Sequence, residues 1–226
     1  MTNIGMVLFD GMTQLDLTGP LEIFSRWPET KIYLVSKDFE PVACDRYLKI
    51  IPDTTFDSCP KTLDILFVPG GNGVSSVLHD NQYLTFIQSR GKTARYITSV
   101  CTGSLILAAC GLLQGYQATT HWLSINLLKE FDIEVPNQRV VIDRNRITGG
   151  GVTSGIDFAL VLTAIILGES SAKEIQLGIE YNPQPPFQSG HPDVADSGLV
   201  TKVKEARREV QQERLDQIKA LIRSRK

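Results

Sequence analysis

Short, almost wholly apolar segments alternate with segments of helical spacing through the first half of the chain, and this alternation constrains the fold most. A strand that is buried on both faces is apolar along its whole length, and consecutive parallel strands need a crossover helix between them. The pattern therefore predicts an α/β fold with a mostly parallel central sheet and helices on both faces. We expect strands at residues 4–9, 31–35, 64–68 and 94–100, and helices at residues 15–27, 74–89 and 103–113.

The second half of the chain continues the same domain, because neither an internal repeat nor a low-complexity linker interrupts it. We expect a β-excursion at residues 42–56, a hairpin at residues 139–148 and a helix buried on nearly all sides at residues 154–167. Three prolines exclude regular structure from residues 181–190. The prediction is a single domain, residues 1–226, with a charged helical appendage from about residue 192.

Charge is nearly balanced over the chain but unevenly distributed along it. The 23 Lys and Arg residues and 25 Asp and Glu residues give a net charge of −2. From Thr201 onward nine basic residues accompany four acidic ones, a net of +5, which leaves −7 for the preceding part. This balance excludes a general attraction for nucleic acid or for an anionic membrane, so we expect neither as a partner.

The N-terminus and the cysteines indicate a cytoplasmic protein. The first ten residues lack the basic start and the small-residue cleavage site of a signal peptide. The longest uncharged apolar stretch, residues 158–167, is about half of the roughly 20 residues that a membrane span needs. The four cysteines show no spacing typical of a disulfide framework or of a zinc knuckle. We therefore expect a reducing compartment. No spacing of His, Asp and Glu residues suggests a metal site, and we expect no other cofactor.

One cysteine lies where a predicted strand gives way to a helix. The strand ends at Val100, Cys101 and Thr102 follow, and Gly103 leaves room for a tight reversal. This arrangement is typical of a nucleophile elbow, which exposes its side chain above the carboxyl edge of the sheet. Because a helix N-terminus favours a thiolate, we expect the pKa of Cys101 to lie below that of a free cysteine. The alternative is that Cys101 is an inert core thiol.

Two further segments end at the same edge of the predicted sheet. Gly70 and Gly71 follow the third strand, and their amides can approach a substrate closely. Asp16 begins the helix after the first strand, so that its carboxylate can face Cys101. Asp16 also has the spacing of a capping box with Thr13, and the sequence leaves catalysis and capping equally open. Neither turn carries a nucleotide-binding motif.

Four motifs resemble those of the ThiJ/PfpI superfamily, a class I glutamine amidotransferase-like group, over about residues 3–190. They are LDLTGPLE at residues 15–22, VPGG at residues 68–71, SVCTG at residues 99–103 and ATTHW at residues 118–122. The resemblance implies a flavodoxin-like sandwich with a nucleophile elbow. Within the superfamily, the aspartate in the first helix together with Cys-Thr-Gly is most similar to the isonitrile hydratases. The peptidase-like members carry Cys-His-Gly instead.

The resemblance implies an enzyme without a cofactor, a homodimer, that hydrates an isonitrile to an N-substituted formamide. Cys101 would be the nucleophile that forms a thioimidate, Asp16 the acid and base, and Thr102 a hydrogen-bond donor near the sulfur. The amides of Gly70 and Gly71 would line the substrate pocket. These roles come from the family motif rather than from the spacing of the residues.

His121 is open to two interpretations. It can approach Cys101, as a base or as part of the substrate pocket, as in several relatives. It can equally be a structural histidine whose nitrogens bond to the backbone. His79 and His191 are expected at the surface.

Two other functions compete with hydration. AraC-type transcriptional regulators share the Asp-x-x-Gly-Pro and ATTHW motifs, which indicates a ligand-sensing domain as an alternative. Such regulators read DNA through a supported recognition helix, and here a single basic amphipathic helix is predicted after Thr201. The second alternative is another cysteine-dependent member of the superfamily, either a glyoxalase-like hydratase or a redox-stress protein.

Overall fold

The computed structural model describes residues 1–224 and has a seven-stranded sheet at its centre. The strands are β1 (Thr2–Val7), β2 (Thr30–Ser36), β3 (Val42–Ala43), β4 (Lys49–Ile50), β5 (Thr54–Thr55), β6 (Ile65–Val68), β7 (Tyr96–Val100), β8 (Val140–Asp143) and β9 (Arg146–Gly149). The order in the sheet is β5-β2-β1-β6-β7-β9-β8. Each neighbouring pair is parallel except β8 with β9, while β3 and β4 form a separate antiparallel pair.

Helices cover the sheet on both faces. They are α1 (Gln14–Phe24), α2 (Val74–Val77), α3 (Asn81–Gly91), α4 (Gly103–Ala109), α5 (Ile125–Lys129), α6 (Ser154–Leu167), α7 (Glu169–Gly178), α8 (Ser197–Ala206) and α9 (Arg208–Arg223). α1 connects β1 to β2 in one direction across the sheet, and α3 connects β6 to β7 in the other, so right-handed crossovers place them on opposite faces. The change of direction between β1 and β6 leaves a crevice at their carboxyl ends, where α/β proteins bind ligands.

Aromatic side chains join α1 and α6 to the central strand β6. Phe24, Phe67 and Phe158 are fully buried. The ring of Phe158 lies 6.3 Å from that of Phe24 and 5.7 Å from that of Phe67. Trp27 donates its indole N–H to the hydroxyl of Thr163 at 2.9 Å, which satisfies a polar group inside this apolar layer. The C-terminal end of α1 is therefore packed against α6 and the centre of the sheet.

The predicted alternation of strands and helices is confirmed, with shifts of a few residues at element ends. The predicted hairpin is β8 with β9, and the predicted β-excursion contains β3, β4 and β5. The helix expected at residues 74–89 is divided into α2 and α3. Asp80 lies between them and accepts the N–H groups of Gln82 and Tyr83, so that it starts a new helix.

The helix α6 is buried on one side only, whereas the sequence predicts burial on nearly all sides. Phe158 and Leu162 are fully buried, but Ile165 is 41% exposed. An apolar helix can therefore lie at the edge of the molecule with part of its surface uncovered. No helix within residues 1–224 has both the length and the apolar character needed to cross a membrane.

The C-terminal segment forms two helices, α8 and α9, where the sequence predicts one. Arg207 interrupts the segment, and α9 packs on the core through the fully buried Ile218. α9 therefore packs against the body of the protein. Residues 181–190 are irregular and largely exposed, as predicted, while Arg225 and Lys226 lie outside the described residues.

Candidate active site

Cys101 occupies the turn between β7 and α4 with a positive φ of 57°. Its N–H donates to the carbonyl oxygens of Gly149 at 3.0 Å and Gly150 at 2.7 Å. Its carbonyl oxygen accepts the hydroxyl groups of Ser104 and Thr120. A left-handed backbone costs a non-glycine residue on the order of 1–3 kcal/mol, so these four contacts hold a conformation that the chain would otherwise avoid. This turn has the geometry of the predicted nucleophile elbow.

Gly103 allows the elbow to touch the end of β6 directly. A Cβ at this position would lie 2.2 Å from the carbonyl oxygen of Val68 and 2.7 Å from that of Pro69. Both clashes are with backbone atoms, which cannot rotate away as the end of a side chain can. A larger residue here would therefore displace Cys101 from the carboxyl edge of β6.

Asp16 lies in the first turn of α1 and is fully buried. Its Oδ2 accepts the N–H of Gly70 at 2.9 Å, and its Oδ1 has no hydrogen-bond donor among residues 1–224. The capping box is absent, because the hydroxyl of Thr13 donates to Asp45 and the N-terminus of α1 has no side-chain cap. The capping alternative for Asp16 is therefore wrong, and its carboxyl group faces the elbow.

The glycine loop after β6 connects Asp16 to the elbow. Gly70 donates its N–H to Asp16, and Gly71 donates its N–H to the hydroxyl oxygen of Thr102 at 3.0 Å. A Cβ on Gly70 would lie 2.5 Å from the amide nitrogen of Thr102. The two amides therefore bind side chains of the site, whereas the sequence predicts that they face the substrate. Gly71 and Thr102 do line the cavity together with Cys101.

Burial controls the ionisation of both central groups. It raises the pKa of Asp16 to about 7, although the N–H of Gly70 and the thiol of Cys101 lower it. Burial also raises the pKa of Cys101 well above its ordinary value, and the charge of Asp16 raises it further. The backbone N–H and the hydroxyl of Thr102 act in the opposite direction. Near neutral pH the sulfur therefore keeps its proton, while Asp16 exchanges one.

The expectation of a low thiol pKa at an exposed elbow is therefore wrong. Cys101 is only 5% exposed. The N-terminus of a helix stabilises a nearby negative charge by roughly 0.3–1 kcal/mol. Full burial can shift a pKa by about 3–5 units, and each unit corresponds to about 1.4 kcal/mol, so desolvation outweighs the helix.

His121 lies on the wall of the cavity and also stabilises the backbone. Its Nδ1 accepts the N–H of Leu123 at 3.3 Å. Burial lowers the pKa of His121, as do the charges of Arg207 and Arg214, so the ring is neutral. No hydrogen bond joins His121 to Cys101 in the described part of the chain. Within residues 1–224 no cluster of three His, Cys, Asp or Glu side chains could hold a metal ion.

A cavity of about 370 Å³ opens over the elbow, and α9 forms part of its wall. Arg214 was not among the site residues predicted from the sequence. It is 3% exposed, and its Nη2 donates to the carbonyl oxygens of Gly71 at 3.3 Å and Asn72 at 3.4 Å. The spacing of residues along α9 could have revealed it. Arg214 lies four residues from both Val210 and Ile218, so an arginine interrupts the stripe that faces the core.

Comparison with known proteins establishes the family. The sequence profile of the DJ-1/PfpI family matches residues 2–165. The chain belongs to the DJ-1/PfpI family. The crystal structure of a ThiJ/PfpI family protein from Pseudomonas syringae superposes with a TM-score of 0.94 at 43% identity, over 96% of this chain and 90% of that one. The predicted fold class is confirmed.

Two curated relatives differ in how much of their length is similar. The isonitrile hydratase of Pseudomonas putida is 49% identical over 201 residues, which are 89% of this chain and 88% of that enzyme. The HTH-type transcriptional regulator GbdR of Pseudomonas aeruginosa is 30% identical over 185 residues, which are 78% of this chain and 49% of the regulator. The similarity to the hydratase therefore extends through most of both chains, and that to the regulator through about half of its length.

Proposed function

We propose that this protein is an isonitrile hydratase, which converts an isonitrile, R–NC, and water into the formamide R–NH–CHO. The observation that carries the proposal is the pair formed by Cys101 at the elbow and the buried Asp16. The pKa of Asp16, about 7, allows this carboxyl group to give and to take protons near neutral pH. The 49% identity to the isonitrile hydratase of Pseudomonas putida over 89% of the chain supports the same function.

The first step adds the thiol of Cys101 across the terminal carbon of the isonitrile. The sulfur bonds to this carbon while the thiol proton passes through Asp16 to the same carbon, which gives the thioimidate R–N=CH–S–Cys. One S–H bond breaks, and one C–S bond and one C–H bond form. Because the proton moves as the sulfur attacks, the step needs no preformed thiolate. It therefore agrees with the raised pKa of Cys101.

The second step hydrolyses the thioimidate. Asp16 takes a proton from water as the water oxygen adds to the thioimidate carbon, and the nitrogen receives a proton. The C–S bond then breaks, the formamide carbonyl forms, and the proton of the hydroxyl returns to the sulfur. The sum is R–NC plus water giving R–NH–CHO, with the thiol restored.

The surrounding residues position these two groups. Thr102 stabilises charge on the sulfur through its N–H and hydroxyl, and Gly71 orients that hydroxyl. Gly70 holds one oxygen of Asp16, which leaves the other for proton transfer. His121 forms part of the wall that receives the R group.

The alternative functions have less support. α9 contributes Arg214 to the cavity and Ile218 to the core, so this basic helix is engaged with the site rather than presented to DNA. A glyoxalase-like or redox-stress function would use the same Cys101, and no feature of the site favours it over hydration.

Incubation with an isonitrile separates these functions. The purified protein is mixed with benzyl isonitrile, and N-benzylformamide is measured by liquid chromatography; methylglyoxal is tested in parallel. We expect formamide from the wild type, none from Cys101→Ala, and a thioimidate adduct on Cys101 by mass spectrometry of quenched enzyme. Lactate without formamide would favour the glyoxalase-like function. Wild-type turnover by Cys101→Ala would contradict covalent catalysis.

We further propose that the protein is a cytoplasmic homodimer. Cys44 and Cys59 are free thiols, which suits a reducing compartment. Ile165 and Leu177 are 41% and 82% exposed, and a second copy can cover such apolar side chains. Light scattering tests the homodimer, because a dimer has twice the monomer mass of 25.0 kDa.

A further inference from the structure

The cavity over Cys101 contains more positive than negative charge. Arg46, Arg207 and Arg214 line it, and Asp45 is the one carboxylate among the lining residues. One oxygen of Asp45 already accepts the hydroxyl of Thr13 at 2.8 Å. Even when Asp16 is ionised behind the elbow, three cations outnumber two carboxylates, and this excess of positive charge suits a ligand that carries negative charge.

Arg214 is the buried member of this group and has incomplete contacts. Its Nη2 donates to two carbonyl oxygens at 3.3 and 3.4 Å, and its Nε donates to the hydroxyl of Ser75 at 3.4 Å. Nη1 donates to no protein atom within residues 1–224, and none of the ion pairs found there includes Arg214. A guanidinium group that is 3% exposed and lacks a counterion is costly to bury.

We propose that Arg214 binds a carboxylate of the substrate, so that the site prefers short isonitriles that carry a carboxylate group. The inference rests on the proposed hydratase function and names the class of R group. Nη1, whose two N–H groups have no protein acceptor within residues 1–224, can donate to the carboxylate in a charge-assisted hydrogen bond. The substrate would then supply the negative charge that the protein does not provide.

The position of Arg214 also limits the length of the substrate. Arg214 donates to the carbonyl oxygen of Gly71, and the N–H of Gly71 donates to Thr102, the neighbour of Cys101 in sequence. A single residue therefore separates the guanidinium from the residue next to the nucleophile. A carboxylate one or two carbons from the isonitrile nitrogen fits this separation better than a long chain does.

The first test compares isocyanoacetate with its methyl ester, which differ mainly in charge. The kcat/KM of each is measured for the wild type, Arg214→Gln, Arg214→Lys and Arg223→Gln. Arg223 lies on the same helix but is not among the residues that line the cavity, so its substitution removes the same charge outside the site. We expect the wild type to prefer the carboxylate. The ratio of kcat/KM for isocyanoacetate to kcat/KM for its methyl ester should fall by at least about 10-fold in Arg214→Gln, chiefly because the KM for isocyanoacetate rises. The same ratio should be unchanged in Arg223→Gln.

The variant Arg214→Lys helps to separate two roles of Arg214, which are binding the substrate carboxylate and holding α9 in place. Lysine keeps a positive charge but lacks the planar guanidinium, so we expect a ratio between that of Arg214→Gln and that of the wild type. A wild-type enzyme that does not prefer the carboxylate would overturn the proposal. Equal losses on both substrates in Arg214→Gln, with an unchanged ratio, would do the same and assign Arg214 to holding α9 in place.

A second test does not depend on hydratase activity. Cys101 is alkylated with iodoacetate and with iodoacetamide, which are similar in size, and the modified peptide is quantified by mass spectrometry. Both reagents need the same thiolate, so the ratio of their rates cancels any change in the pKa of the thiol. We expect this ratio to fall by about 10-fold in Arg214→Gln. An unchanged ratio would exclude anion selection by Arg214. A ratio that falls in Arg214→Gln, together with a wild type that turns over no isonitrile, would refute the hydratase function alone.

Discussion

At the scale of single residues, Asp16 and Cys101 influence each other's ionisation. Each is buried; the charge of Asp16 raises the pKa of Cys101, whereas the thiol of Cys101 lowers the pKa of Asp16. The pair therefore keeps a proton available at neutral pH, which suits an addition that must deliver a proton to carbon. The substitution Asp16→Asn tests this coupling through turnover and through the reactivity of the thiol.

The first prediction concerns turnover. The asparagine side chain would keep an oxygen that accepts the N–H of Gly70 but could not exchange a proton, so we expect formamide formation to fall by about 10²- to 10⁴-fold. Asp157→Asn is the control, because Asp157 is the acidic residue in the first turn of α6. Its turnover should match the wild type. Normal turnover in Asp16→Asn would exclude proton transfer by this residue and leave His121 as the next candidate.

The second prediction concerns the thiol. Removal of the carboxylate charge should lower the pKa of Cys101, because Asp16 raises it in the wild type. Iodoacetamide should then modify Cys101 faster in Asp16→Asn than in the wild type at about pH 8, near the pKa of a free thiol, although the variant turns over more slowly. Rates measured against pH test this directly. Slower modification of the variant across the whole pH range would contradict the coupling.

At the scale of elements, α9 completes a site whose nucleophile and carboxylate lie on other elements. Asp16 comes with α1 and Cys101 with the turn after β7, while α9 places Arg214 over the cavity. Ile218 is the fully buried side chain that holds α9 on the core. The stability of this contact therefore controls how well the cavity is formed.

Ile218→Ala tests that role. The change should lower the free energy of unfolding by about 2–5 kcal/mol and raise KM, because the helix that carries Arg214 is less firmly packed. Leu199→Ala on α8 loses the same number of carbon atoms from a side chain that is 43% exposed, so it should cost well under half as much. Chemical denaturation and steady-state kinetics provide both measurements. Equal small losses would mean that α9 contributes little to the packed core.

At the scale of the whole molecule, the raised pKa of Asp16 makes global stability depend on pH. The group has a pKa of about 7 in the folded protein and an ordinary value of 3.8. Below pH 3.8 Asp16 is protonated in both the folded and the unfolded protein, so its contribution to the free energy of unfolding is fully present. As pH rises to about 7 the unfolded chain releases the proton first, so that stability is lost.

Asp16→Asn isolates this contribution from other titrating groups. The free energy of unfolding of the wild type, relative to the variant, should fall between about pH 4 and pH 7 by at most about 4 kcal/mol and then level off. Urea denaturation of both proteins across this range measures the difference. A difference that rises with pH would mean that the carboxylate is stabilised by the fold rather than desolvated.

Local patterns in the sequence were sufficient for the element order and for the position of the elbow. Apolar runs and helical spacing depend on neighbouring residues, and the strand that ends at Val100 leads into Gly103 within three positions. The order of strands and helices also predicts that Asp16 can face Cys101, whereas their catalytic roles come from the family motif. Spacing alone could not separate catalysis from capping, because Asp16 has its decisive contact with Gly70, 54 residues away.

Only the tertiary structure decided the ionisation and the charge of the site. The thiol of Cys101 has a raised pKa because surrounding elements bury it, and a helix N-terminus in the sequence reveals nothing about that desolvation. In the local sequence Arg214 cannot be distinguished from the other basic residues of an amphipathic helix, but the packing of α9 places it over the elbow. Periodicity is a property of neighbours along the chain, whereas burial and charge at a site are sums over residues that meet only after folding.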